Sequence, residues 1–256
     1  MIVGPTFFSS PGGDPYWSNV LLLLPFDGSG QTFVDLGPLS ADNALSVNGG
    51  GAAETFDQNT GGTLFGESTL QMVQPGAGGG NSINLFVSNT TKALVADSDF
   101  CIEYHWRQSS WAAATTPIHA WFTRGSVVTG GPPLLAARSD PTSDLYFRTT
   151  NNSPGETLEV GGYSADTWRH VAMQYVAADF KTYVYVGGTK VGEYTSSLNA
   201  PSTGFTVSIG DFFGTTAPGP ESFGYSLRLA NLRITAANRY GNVASIDVPT
   251  EPWPTG

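Results

Sequence analysis

His105, His119 and His170 are the only imidazoles in the chain, and none stands in an HxH or HxxxH spacing, so a transition-metal centre has little to build on. His105 and His170 fall inside strand patterns, where packing or a backbone hydrogen bond is the usual role of a histidine. Among the carboxylates, Glu156 and Glu159 have the wrong spacing to share a strand face, and Asp140 and Asp144 flank a proline turn. No GxSxG elbow accompanies the serines. The glycines at 76–80 lack the Lys-Ser/Thr and the helix that complete a phosphate loop. Cys101, the single cysteine, lies in the strand-like run Phe100–Trp106 and reads as a small buried core residue, so no intramolecular disulfide forms.

Two sets of residues suit binding better than catalysis. Asp27, Asp35 and Asp42 surround the first loops, and calcium is the metal they fit best, because it takes carboxylate and backbone carbonyl oxygens. The same three residues also read as turn-forming Asx residues, the commoner use of Asp at such places. Trp111, Trp121 and Tyr163 lie at loops or strand ends and offer rigid flat faces on which sugar rings stack. They serve equally as core or inter-subunit packing, whereas Trp17, Trp168 and Trp253 read as internal.

The elements that would position these residues are strands. From Asp166 to Tyr194 a Trp-Arg-His opening leads into two period-two runs that meet at Gly187-Gly188. Val171, Met173 and Tyr175 alternate with Ala172, Gln174 and Val176, the pattern of half-buried antiparallel strands. The glycine pair permits positive φ at both central turn positions, so Val186 is expected to pair with Thr189. Similar short runs recur along the chain, separated by turn chemistry from 32 Gly and 17 Pro. No apolar 3.6-residue pattern outlasts a turn or two. The expectation is an all-β, antiparallel β-sandwich.

Charged residues make up only 12%, with a net charge of −10 at pH 7, which argues against nucleic acid and against anionic membrane as partners. The run Val20–Leu24 is closed by Pro25 and Asp27, far short of the ~20 residues that span a bilayer. Residues 1–16 carry little periodicity and read as an extended arm, followed by one sandwich domain over 17–256. The N-terminal stretch lacks the basic and long apolar regions of a secretory signal, so synthesis in a cytoplasm is expected.

In order and spacing, several segments resemble the laminin-G-like branch of the concanavalin A-like lectin/glucanase superfamily, of the type found in tailed-bacteriophage virion proteins. They are DPYWSNVLLLLPFDG at 14–28, FGESTLQM at 65–72, DFCIEYHWR at 99–107, TWRHVAMQY at 167–175, YVYVGGTKVG at 183–192, LANLRITAANRY at 229–240 and VPTEPWP at 248–254. The resemblance implies a concanavalin A-like jelly roll of two curved sheets with its ends close together. It also implies a non-enzymatic virion protein, whether decoration protein, head fibre or tail-associated adhesin. Such a protein would contact other virion proteins and a host-surface glycan, with copies of itself as further partners and the virion as its location.

A free-standing carbohydrate-binding module is the alternative, and an endoglycosidase the second. Glucanases of the superfamily place carboxylates at alternate positions of one strand, a motif absent here. The chain departs from the pattern where relatives often carry Asp-Gly at the hairpin, Asp before the RIT strand and His in the first strand; it has Gly187-Gly188, Ala230-Asn231 and Pro25 instead. No cofactor is expected beyond the calcium considered above.

Overall fold

The structure, a computed structural model, describes residues 14–49, 55–74, 83–89, 98–110, 118–124, 135–139, 145–148, 157–195, 205–210 and 225–254. In chain order the strands are β1 (Val20–Leu24), β2 (Asn43–Gly49), β3 (Thr55–Leu64), β4 (Glu67–Gln74), β5 (Ile83–Asn89), β6 (Phe100–Ser110), β7 (Ile118–Arg124) and β8 (Leu135–Ser139). They continue with β9 (Leu145–Arg148), β10 (Thr157–Val160), β11 (Arg169–Val176), β12 (Lys181–Val186), β13 (Thr189–Thr195), β14 (Phe205–Gly210) and β15 (Tyr225–Thr235). The helical elements among the described residues are three-residue 3-10 turns at Trp17–Asn19, Ser40–Asp42 and Ala177–Asp179.

The strands form two antiparallel sheets. One runs β13-β12-β11-β6-β15-β4-β3, with β1 paired to the far half of β15; the other runs β10-β9-β8-β7-β14-β5-β2. Period two sorts the side chains of β6 and β11. Phe100, Ile102, Tyr104 and Trp106, with Val171, Met173 and Tyr175, turn inward into a core completed by Leu85, Val87, Phe147, Val207 and Ile209 from the opposite sheet. This is the expected antiparallel β-sandwich.

The hairpin forms as its glycines require. Val186 pairs with Thr189, and Gly187 and Gly188 take φ of 58° and 83°. A second special position lies in β15, where the pairing with β6 shifts register between Ala230 and Arg233 and Asn231 sits at φ 50°. An asparagine tolerates this left-handed conformation better than most residues, which accounts for Asn231 at the bulge. The bulge lets β15 serve β4 along Tyr225–Leu229 and β1 along Leu232–Thr235.

One expectation is corrected. The two strands of the hairpin segment were expected to be half-buried, yet every residue of β11 after Arg169 is buried on both faces. The cause is residues 236–254, which follow β15 without regular structure and lie across the outer face of the first sheet. The Lys190 N–H donates to the Ala244 carbonyl at 3.0 Å and the Ile246 N–H to the Gly188 carbonyl at 2.7 Å. β1 is covered in a similar way: Leu21, Leu22 and Leu24 belong to the main core, while Val20 and Leu23 pack with Trp253 and Trp17. That double cover explains its unbroken apolar sequence.

Candidate functional site

The outer face of the first sheet is divided in two. At one end, alternation places Cys101, Glu103 and His105 of β6, His170 and Ala172 of β11, and Arg233 of β15 outward, and all are buried. Arg233 stands directly opposite Glu103, and His170 opposite His105, with ring centroids 5.2 Å apart. From the covering segment Arg239 reaches Glu103 with Nη1 2.7 Å from Oε2, and the Tyr240 hydroxyl donates to the same carboxylate. His170 Nε2 lies 3.6 Å from Glu103 Oε1.

Arg233 pairs with Asp14, and the Trp253 ring lies 5.0 Å from the Arg233 guanidinium and 4.9 Å from that of Arg239. Gln174 acts as a buckle. Its Nε2 donates to the carbonyls of Phe100, Tyr175 and Ala237, and its Oε1 accepts from the Arg239 and Tyr240 N–H groups.

Burial alone would raise the Glu103 carboxyl, but Arg239, the His170 contact and Arg233 outweigh it and hold it at about 2. Burial, helped by His170, pushes His105 down to about 3 against the opposing pull of Glu103 and a hydrogen bond to the Pro249 backbone. Burial pushes the Cys101 thiol well up, as expected of an inert core cysteine. These groups are closed off from solvent, with Glu103 paired to Arg239 and Arg233 to Asp14. Their arrangement suits holding the covering segment down, with no access for a substrate.

The other end of the same face is open. Beyond His105, β6 presents Arg107 and the exposed Ser109, and β15 presents Arg228 directly opposite Arg107. The loop between β10 and β11 wraps this end of β6: the Asp166 N–H donates to the Gln108 carbonyl at 2.8 Å, and the Asp166 carboxylate accepts from Arg107 Nη2 at 3.1 Å. Asp166 itself holds φ 58°, a left-handed conformation that a short polar side chain tolerates. In the same loop Tyr163 is half-buried, edge-on to Trp106 at 6.1 Å, with the Arg169 guanidinium 4.8 Å from its ring centroid. Trp168, the last residue before β11, is partly exposed. The loop at this rim thus sets an aromatic ring against one arginine and a carboxylate against another, groups that can stack on a sugar ring and hydrogen-bond its hydroxyls.

Of the binding residues expected from the sequence, Tyr163 is therefore at this rim. Trp111 lies outside the described residues, and Trp121 lies in β7 with its side chain outside them. Asp35 is a brace: Oδ1 accepts the Leu23 and Gly37 N–H groups, each at 2.8 Å, and Oδ2 accepts from Asn43 at 2.6 Å. Asp27 and Asp42 are exposed, and the described residues hold no group of three or more His, Cys, Asp or Glu that could bind a metal ion. The structure thus gives Asp35 the turn-forming use and does not gather the three carboxylates. Arg107, Asp166 and Arg228 were missed. The signal for them was an arginine inside each of two strand runs, HWRQ and SLRL, and an aspartate opening DTWR.

No family model matches the sequence, and no curated protein matches it. Solved structures do match. The chain is similar to botulinum neurotoxin type C, whose cell entry depends on interaction with two ganglioside molecules, at 14% identity and TM-score 0.56, over 87% of this chain and 49% of that one. It is similar to the binding domain of botulinum neurotoxin D/C in complex with SialylT, at 11% identity and TM-score 0.56, over 87% and 49%. The binding domain of Paraclostridial Mosquitocidal Protein 1 matches at 12% identity and TM-score 0.54, over 87% and 50%. The chain spans about half the length of these structures. At such identities the likeness shows the fold, and the chain is an all-β antiparallel β-sandwich.

Proposed function

We propose that this chain is a non-enzymatic recognition module that contacts glycans through the open rim formed by the 161–168 loop and the end of β6. The observation that carries the reading is the rim itself. The 161–168 loop brings Asp166 to Arg107 at the end of β6 and Tyr163 to Arg169, while the most chemically capable cluster among the described residues, around Glu103 and His170, is sealed. The lectin-like fold supports it, since structural neighbours include domains whose ligands are ganglioside and SialylT. A glycan array probed with the whole chain is expected to show binding that Tyr163→Ala weakens about tenfold or more. Binding that survives substitution of Tyr163 and Trp168 together would move the site elsewhere, with Trp111 and Trp121 next to be tested. An array with no binding at all would end the glycan reading.

The finer reading is that the module rides on a tailed-phage particle as a decoration, fibre or adhesin component, with residues 1–16 as the attaching arm and other virion proteins as partners. The ordered resemblance of seven segments to phage virion sandwiches motivates it. Mass spectrometry of purified particles is expected to find the chain, and its absence there would leave the free-standing carbohydrate-binding module.

A further inference from the structure

Arg107 and Arg228 occupy directly opposed positions on neighbouring strands and point to the same outer face. Like charges so placed repel, and a sheet normally avoids them. Here both are held in place. Arg228 Nη1 donates to Asn59 at 2.9 Å and to Thr69 at 3.2 Å, while Arg107 is held by Asp166. Gly62 makes room for this: a Cβ there would come within 2.4 Å of Arg228 Nε, so the backbone of β3 can lie against the guanidinium only as glycine.

The holding is incomplete. The Arg107 Nε–H has no acceptor among the described residues. After burial, the charge of Arg107 is the next cause that lowers the Arg228 guanidinium, with Asp57 opposing it. Four other basic side chains meet carboxylates: Lys181 and Lys190 both reach Glu193, Arg239 reaches Glu103 and Arg233 reaches Asp14. Across the sheet the register continues the row from Arg107 and Arg228 to Gln71 and Asp57, all partly exposed. An acidic protein with a net charge of −10 thus keeps a pair of opposed arginines on an open face, next to an amide and a carboxylate suited to hydroxyl groups.

We infer that the Arg107–Arg228 pair is a subsite for the carboxylate of an acidic sugar, a sialic acid or uronate residue, with Gln71 and Asp57 meeting its hydroxyls. The inference rests on the glycan reading and narrows its ligand class. A planar guanidinium grips a carboxylate through paired N–H donors, and a bound anion would also relieve the repulsion between the two arginines.

The test is titration of the whole chain with 3′-sialyllactose, uncharged lactose and free glucuronate, followed by NMR of the arginine Nε–H signals and by calorimetry. Sialyllactose is expected to bind at least about tenfold more tightly than lactose, to weaken as salt is raised, and to shift the Arg107 and Arg228 signals. Arg107→Gln and Arg228→Gln are each expected to abolish the preference, bringing sialyllactose down to the affinity the same variant shows for lactose. Arg107→Lys, which keeps the charge but loses the fork, should retain part of it, and thermal melts establish that each variant is folded. Equal binding of sialyllactose and lactose, or a preference untouched by both Gln variants, overturns the inference while the glycan reading stands. If none of the three sugars binds or shifts any signal, both fall.

Discussion

The two faces of the β6–β11 seam are equally buried and differently built. Inward, Ile102, Tyr104, Val171, Met173 and Tyr175 share one apolar core with residues of the opposite sheet. Outward, Glu103, His105, His170 and Gln174 are capped by a segment bearing Arg239, Tyr240 and Trp253, and cohesion comes from charge and hydrogen bonds. The first face is non-directional and tolerant of shape. The second depends on every partner being present, because a buried charge left alone is costly.

The largest expected effect breaks the outer face. Glu103→Gln leaves Arg239 buried without its counter-charge and is expected to destabilise by about 3–5 kcal/mol in urea unfolding. Met173→Ala on the inner face should cost a comparable ~2–5 kcal/mol through lost burial and a cavity. The two separate when pH is varied, since the Met173 loss is constant and the Glu103 loss shrinks in acid.

Acid is itself the next probe. Folded His105 takes up no proton until about pH 3, whereas the unfolded chain does so near 6.5. Folded Glu103 stays ionised to about pH 2, against 4.5 unfolded. Both folded values are depressed, so both contributions are complete above the unfolded values and are lost as pH falls. Stability should decline by about 1.4 kcal/mol per pH unit below 6.5, and more steeply below 4.5. His105→Phe should flatten the upper part of that slope, and an unchanged slope in that variant would remove His105 from the account.

The smallest effect tests where the covering segment touches the hairpin. A Cβ on Gly188 would come within 2.8 Å of the Ile246 carbonyl, whereas one on Gly187 meets nothing within 4 Å. Both hold positive φ, so Gly187→Ala should cost about 1 kcal/mol and Gly188→Ala distinctly more in thermal melts. Equal costs would mean that the segment yields freely at this point.

Period two and turn chemistry are local, and they were legible: the hairpin, its register at Val186–Thr189 and the alternation of β6 and β11 all follow from adjacent residues. What covers a face is not local. Residues 236–254 have no periodicity, so nothing in ANRYGNVASIDVP announces that Arg239 will meet Glu103 136 positions earlier, and the outward residues of β11 read as exposed. Arg233, a charge inside the LRIT strand run, likewise finds its carboxylate far off in sequence, at Asp14. At the candidate rim, Tyr163 was visible as an aromatic in a loop. The Arg107–Arg228 juxtaposition was not, because it depends on strands distant in sequence lying side by side.

Gln174 has a further consequence in time. Its amide holds the Phe100 carbonyl on one side and the Arg239 and Tyr240 N–H groups on the other. The covering segment therefore cannot lift without also loosening the seam beneath it. In deuterated water, the Arg239 and Tyr240 amides should exchange in step with those of β11, as one cooperative unit.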